Sequence, residues 1–133
     1  SILEQFVAHL TLAEDEIALL DMEAGVEHFG RGTDNSVDSI LMIVDPSFES
    51  LRLSAKIADL STSIGKPIWF CLNKVTEETA QRMEEEVGKH GAIIGRMPLN
   101  HDLALAGLTG TELQMTIAPI SEMAQFLSHD QKI

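Results

Sequence analysis

The chain has 133 residues, which is enough for one domain, and 44% of them are hydrophobic, so a core can form. Its 21 acidic residues outnumber its 9 basic residues and give a formal net charge of −12. Binding to nucleic acid or to an anionic membrane surface needs clustered lysine and arginine, so this charge argues against both kinds of partner.

The first third of the chain is predicted to hold a helix, a strand and a long loop. Apolar residues at helical spacing predict an amphipathic helix over residues 2–10. The apolar run that ends at Leu20 predicts a buried strand over residues 17–21, with Asp21 leaving its end. Residues 22–38 are polar and contain glycine, and loops of this length are usually functional or mobile.

Strands and helices alternate through the rest of the chain. Uninterrupted apolar runs, typical of a parallel sheet covered on both faces, predict strands over residues 39–45, 67–72 and 92–97. The predicted helices cover residues 48–64, about 77–90, about 101–106 and about 119–127. Gly65 is expected to end the first of these helices and Thr76 to cap the second. This alternation predicts an α/β fold in a single domain over residues 1–133, with a doubly wound parallel sheet of about four strands flanked by helices.

Ligands of an open parallel sheet bind beyond the carboxyl ends of its strands. Here those ends carry Asp21, Asp45, the pair Asn73-Lys74 and Pro98. We interpret Asp45, which precedes a proline, as a residue that starts a turn. The Asn73 amide combines a donor and an acceptor on one plane, which suits the edge of a purine. The Lys74 stem can lie along a base while its charge stays in water.

The segment after Asp21 carries the strongest hint of phosphate chemistry. A carboxylate at Asp21 can hold a hydrated divalent cation, and Gly25 lets the backbone approach an anion closely. The spacing of Glu23, Glu27 and His28 matches no standard metal site. No stretch matches the phosphate loop G-x-x-x-x-G-K-[ST], so we expect this chain alone to bind nucleotide weakly or not at all.

The single cysteine, Cys71, excludes an internal disulfide and lies within an apolar run, where a buried hydrophobic role is expected. The cytoplasm is the compartment that suits such a chain. We find no signal peptide at the start, and no apolar run is as long as a membrane span.

With these residues in view, the chain resembles the carbon monoxide dehydrogenase maturation ATPases of the CooC type. This family belongs to the deviant P-loop class, with nitrogenase iron protein and the partition and septum-site ATPases. The resemblance extends from about Leu3 to Gly110, with Asn73-Lys74-Val75 and Pro98 at counterpart positions. Its most specific motif is Asp21-x-Glu23-Ala24-Gly25-x-Glu27-His28-x-Gly30-Arg31-Gly32.

The resemblance implies a role for each candidate residue. Asp21 resembles the acidic residue that holds magnesium through water, and Gly25 lies where the family's switch region approaches the γ-phosphate. Asn73 resembles the residue that reads adenine, with Lys74 and Pro98 lining the base pocket. The family works as a nucleotide-gated dimer that helps to load nickel into its client, carbon monoxide dehydrogenase.

Two parts of the family pattern would lie upstream of residue 1: the phosphate loop, and a Cys-x-Cys pair that holds nickel or zinc. We therefore expect the chain to correspond to the C-terminal portion of such an ATPase, as a piece of a longer protein or as a short natural relative. ATP hydrolysis, with ATP and magnesium bound, would then belong to the intact protein. Two alternatives stay open, a non-catalytic interaction module and a related ATPase with a partition or cofactor-amidation role.

Overall fold

A parallel β-sheet forms the centre of the computed structural model, which describes residues 2–22 and 37–129. Within those ranges the strands are β1 (Ile40–Val44), β2 (Ile68–Val75) and β3 (Ala92–Pro98). The helices are α1 (Ile2–Ala8), α2 (Phe48–Ile64), α3 (Glu77–Gly88), α4 (His101–Thr109) and α5 (Ala118–His129). The strands pair in the order β1-β2-β3, which confirms the predicted α/β class with a parallel sheet.

Short polar residues and glycine set the ends of α2 and α3. The Ser47 side chain accepts a hydrogen bond from the Ser50 amide, 3.1 Å away, and so satisfies a free donor in the first turn of α2. Gly65 ends α2 in the left-handed conformation at φ 70°, as predicted. Thr76 precedes α3, and its amide donates to the Thr79 hydroxyl at 3.0 Å. The predicted bounds of α2 and the predicted start of α3 after Thr76 are therefore confirmed.

The two faces of the sheet bury different side chains because successive strand residues point to opposite sides. One face packs against α2 and α3 and forms the larger core cluster, made of Met42, Val44, Ile57, Ala58, Phe70, Leu72, Met83 and Val87. The other face packs mainly against α5, where Cys71, Met97 and Met123 are buried together. The Phe126 ring of α5 also meets the Trp69 ring edge-on, with centroids 5.1 Å apart. Helices thus cover both faces of the sheet.

The predicted strand over residues 17–21 does not form, so the sheet has three strands in the described ranges rather than about four. Residues 17–22 have no regular secondary structure, and the Ile17 and Leu19 side chains are 57% and 84% exposed. A strand needs a neighbour for its backbone hydrogen bonds, and the outer edge of β1 pairs with no described segment. The apolar run fits a strand, but it does not itself supply that partner.

Several element ends differ from the sequence prediction. Strand β2 continues through Asn73, Lys74 and Val75, three residues beyond the predicted end. Helix α4 extends to Thr109, where Gly110 ends it in the left-handed conformation at φ 68°. Helix α3 stops at Gly88, slightly short of the predicted end. Of the predicted loop over residues 22–38, only 22, 37 and 38 lie within the described part. None of the described helices is long and apolar enough to cross a membrane.

Candidate functional site at the carboxyl edge of the sheet

The carboxyl ends of the three strands meet at one edge of the sheet, as parallel pairing requires. Val44 pairs with Leu72, so the next residue of each strand, Asp45 and Asn73, lies at the same level. Val75 pairs with Pro98 on the other side of β2. The structure therefore brings the sequence-predicted residues Asn73, Lys74 and Pro98 to one edge, and it adds Asp45 to them.

Three of these side chains form a connected group, the Asp45 cluster, made of Asp45, Asn73 and Lys74. The Asn73 Nδ2 donates to Asp45 Oδ1 at 2.9 Å. The Lys74 Nζ lies 3.5 Å from the second carboxylate oxygen, Asp45 Oδ2. Asn73 is half-buried, whereas the Lys74 side chain is 57% exposed. An ion pair this exposed adds little to the free energy of unfolding by itself, so its main effect is to keep the Lys74 and Asp45 side chains near each other.

An irregularity in β2 allows Asn73 and Lys74 to reach the same carboxylate. In a regular strand, consecutive side chains point to opposite faces of the sheet. Here the register between β2 and β3 shifts between Leu72 and Val75. Lys74 also takes a left-handed backbone conformation, with φ 54°. Irregularities of this kind redirect side chains and are frequent beside functional sites.

The backbone of Asp45 is fixed on both sides. Its amide donates to the Ser50 hydroxyl at 3.1 Å, and its carbonyl accepts from the Ser47 amide at 2.8 Å. Both serines lie at the start of α2, where Ser47 is the capping residue. The carboxylate is thereby tied to the first turn of a helix that packs on the sheet.

The end of β3 adds an apolar surface to this edge. The Leu99 amide donates to the Val75 carbonyl at 3.0 Å, which keeps the chain beside β2 just after Pro98. Pro98 and Leu99 are both exposed. Asn100 then caps α4 by accepting from the Leu103 amide at 3.1 Å. An exposed proline and leucine next to an asparagine and a lysine provide apolar surface and hydrogen-bonding groups for a planar heterocycle.

Asp21 does not join this group by contact. It lies in an exposed segment without regular structure rather than at the end of a strand. Among the described residues, no hydrogen bond or ion pair links it to the Asp45 cluster. Gly25, together with Glu23, Glu27 and His28, lies outside the described residues. The metal and phosphate roles of Asp21 and Gly25 therefore stay predictions.

No group of three or more histidine, cysteine or acidic side chains is arranged to hold a metal ion in the described ranges. Cys71 is buried at the centre of the sheet, and burial raises the pKa of its thiol above the ordinary value of 9.0. The thiolate is the form that binds metals, so raising the pKa makes Cys71 a poor ligand. These residues do not fit a nickel or zinc site, and Cys71 is a buried hydrophobic residue, as predicted.

Comparison with known proteins finds ATP-binding relatives of this chain. An uncharacterized ATP-binding protein of Methanocaldococcus jannaschii is 38% identical over 128 residues, which cover 96% of this chain and 51% of that relative. A second ATP-binding protein of the same organism is 28% identical over 137 residues, covering 99% of this chain and 52% of the relative. This chain therefore has ATP-binding proteins among its homologues. No family model matches the chain.

The relatives also include a protein with a named role. The carbon monoxide dehydrogenase accessory protein CooC of Rhodospirillum rubrum is 29% identical over 111 residues, which cover 83% of this chain and 42% of CooC. The chain thus spans about half the length, or less, of the curated relatives that it matches. The alignment with the first of these ATP-binding proteins covers 96% of this chain, and the α/β fold fits a P-loop NTPase-like protein.

Asp45 is the site residue whose contact the sequence interpretation missed. Its place at a strand end is visible in the sequence, but the following proline favours a simple turn. The signal that could have found it is the register, since adjacent parallel strands that end together place their next residues side by side. Sequence periodicity gives no register, so this pairing required the structure.

Proposed function

We propose that these residues form the base-binding part of an ATPase, with Asn73, Lys74 and Pro98 around the adenine of ATP. The observation that carries the proposal is the Asp45 cluster, which lies at the carboxyl edge of a parallel sheet in a chain whose homologues bind ATP. That edge is where open α/β sheets bind nucleotides. The hydrolytic activity of the whole protein is part of the proposal.

The chemistry of this edge suits a purine base better than a phosphate group. The Asn73 amide offers hydrogen bonds along a base edge, and the exposed Pro98 and Leu99 offer an apolar surface for a ring. The positive charge of Lys74 is partly offset by Asp45, 3.5 Å away, which weakens it as a phosphate ligand. The phosphates would need donors that this chain's sequence does not supply as a glycine-rich loop.

The test of base binding is the affinity of the complete natural chain for magnesium-ATP, measured by calorimetry. Asn73→Ala removes the hydrogen bonds of one amide, so we expect the dissociation constant to rise about tenfold. Gln81→Ala is the matched control, because it also removes an amide but on the exposed face of α3, where Gln81 contacts Glu85. Unchanged ATP affinity in Asn73→Ala would contradict the role of Asn73.

For the metal side of the site, we propose that Asp21 holds a hydrated magnesium ion and that Gly25 lies near the γ-phosphate. Magnesium commonly keeps several waters and takes one or two carboxylates together with substrate phosphates, so a single aspartate fits that donor set. The ion would neutralise charge on the phosphates. This part of the proposal rests on the motif from Asp21 to Gly32.

For the cellular role, we propose that the whole protein is a dimeric cytoplasmic ATPase that assists nickel insertion into carbon monoxide dehydrogenase. The support is the similarity to CooC, which is an accessory protein of this enzyme. Nickel would be the cargo of the dimer, held outside the described residues. A partition or cofactor-amidation ATPase is the other candidate within the same class, and the net charge of −12 disfavours a role on DNA.

The variant Asp21→Asn tests both the magnesium role of Asp21 and the proposed role in nickel insertion. An amide holds a hydrated dication poorly, so the complete chain should lose magnesium-dependent ATP turnover by about a hundredfold or more while keeping its fold. Cells that carry only this variant should make carbon monoxide dehydrogenase with a reduced nickel content, measured by elemental analysis. Asp59→Asn, on an exposed position of α2, should change neither. Full turnover in Asp21→Asn would overturn the magnesium role, and lost turnover with normal nickel loading would overturn the client.

A further inference from the structure

We infer that Asp45 is a positioning residue that sets base selectivity, because it fixes the orientation of the Asn73 amide. The inference rests on the proposed function and deepens it. The Asn73 Nδ2 lies 2.9 Å from Asp45 Oδ1, and this is the contact from which the argument starts. Asp45 itself is not proposed to touch the nucleotide.

The chemistry of the contact allows one orientation of the amide. A carboxylate offers only acceptors, whereas an asparagine amide carries donors on Nδ2 and an acceptor on Oδ1. The group that faces Asp45 must therefore be the NH₂, since turning the amide over would bring two oxygens together. The Asn73 Oδ1 is left directed away from Asp45, and within the described residues it accepts no hydrogen bond.

Asp45 is held well enough to impose this orientation. Its backbone is tied to Ser47 and Ser50 at the start of α2. Its second carboxylate oxygen lies 3.5 Å from Lys74 Nζ. Both oxygens of the carboxylate thus have partners from β2, and the Asn73 amide meets an acceptor that is already in place.

An outward-facing acceptor selects for a donor on the base. The 6-amino group of adenine can donate to Asn73 Oδ1, whereas the 6-oxo group of hypoxanthine or guanine would face it oxygen to oxygen. A site that hydrogen-bonds one such group discriminates strongly against an analogue that lacks it, since its own polar atom is then left unpaired. The Asp45 cluster is therefore expected to favour ATP over nucleotides with a 6-oxo base.

The test compares ATP with inosine triphosphate, whose base has a 6-oxo group and an N1–H where adenine has a 6-amino group and a bare N1, and which lacks the 2-amino group of guanine. Calorimetry on the complete natural chain should give a dissociation constant for ATP about tenfold or more below that for inosine triphosphate. In Asp45→Ala the amide can turn over, so this ratio should fall to within about threefold of unity. Glu49→Gln, which removes an exposed carboxylate from the first turn of α2, should keep the wild-type ratio.

The outcomes separate this inference from the proposed function. If the complete wild-type chain does not bind ATP, the proposed function fails and the inference fails with it. If it binds ATP but not in preference to inosine triphosphate, or if Asp45→Ala keeps the full preference, only the inference is overturned. If Asp45→Ala keeps the native circular dichroism spectrum and shows a smaller preference for ATP, the inference is supported. A loss of structure would instead weaken the binding of both nucleotides equally and leave the preference unchanged.

Discussion

Lys74 carries the main backbone strain at the candidate site. It is the non-glycine residue with positive φ in the described ranges, and the left-handed conformation costs an ordinary residue roughly 1–2 kcal/mol. The surrounding contacts must compensate for this cost, and they include the pairing of β2 with β3 at Val75 and Pro98. Such strain is common where a functional geometry is required.

This strain predicts an inverted preference between glycine and alanine at position 74. Both Lys74→Gly and Lys74→Ala lose the ion pair, but only glycine adopts positive φ without cost. We expect Lys74→Gly to be more stable than Lys74→Ala by about 1 kcal/mol, although alanine is normally the better residue within a strand. Urea unfolding of both variants measures the difference. A more stable Lys74→Ala would show that residue 74 does not keep the left-handed conformation.

At the residue scale, sequence alone predicts which residue types lie at the candidate site but not how their side chains connect. Asn73, Lys74 and Pro98 were predicted from their place after apolar strands, and they do lie at one edge of the sheet. Asp45 was interpreted as a turn residue, and its hydrogen bond to Asn73 spans 28 positions of the chain. Contacts between residues so distant in sequence depend on strand register, which hydrophobic patterns do not encode.

At the scale of elements, α2 links the core to the candidate site. Its buried face contributes Ile57 and Ala58 to the core, and its first turn fixes the backbone of Asp45 through Ser47 and Ser50. The helix is closed at both ends by local residues, Ser47 and Gly65. Local capping is readable from sequence because it involves residues three or four positions apart.

The cap of α2 gives a prediction with a control on the same helix. Ser47→Ala leaves the first-turn amide of Ser50 without its partner, so we expect the free energy of unfolding to fall by about 1 kcal/mol. Ser63→Ala makes the same substitution at an exposed position within α2, where alanine favours helix, and should be neutral or slightly stabilising. Thermal unfolding of the two variants tests this. Equal effects would mean that Ser47 contributes no cap.

The strand predicted over residues 17–21 shows where element prediction failed. Its apolar residues fit a strand, but a strand exists only when a neighbour accepts its backbone hydrogen bonds. Strand β2 shows the opposite case, since it runs through the polar pair Asn73 and Lys74, which a pattern-based boundary excludes. Pairing to β3, where Val75 lies opposite Pro98, extends it past the end of its apolar run.

At the scale of the whole molecule, the sheet has an unpaired edge and apolar side chains in water. Strand β1 is an edge strand of the described sheet, and Ile43 on it is 50% exposed. Other exposed large apolar side chains include Leu19 and Leu108. Open strand edges and apolar surface of this kind mark sites of association.

The 133-residue chain is therefore expected to self-associate at concentrations of about 100 µM, which sedimentation velocity can measure. Ile43→Lys places a charge on the edge strand and should reduce the association. Leu108→Lys removes an exposed apolar side chain from α4 and should leave it unchanged if the β1 edge is responsible. A monomer at all concentrations would contradict the expectation, and equal effects of the two variants would assign association to general apolar exposure.

The sequence by itself determined the α/β class, the glycine end of α2, the buried character of Cys71 and the residue types at the strand ends. These depend on hydrophobic period and on short-range hydrogen bonds, which are properties of neighbouring residues. Only the tertiary structure decided that residues 17–21 do not pair, that Lys74 turns left-handed and that Asp45 holds the Asn73 amide. Each of these depends on which backbone lies beside which, and that is set by the packing of the whole sheet.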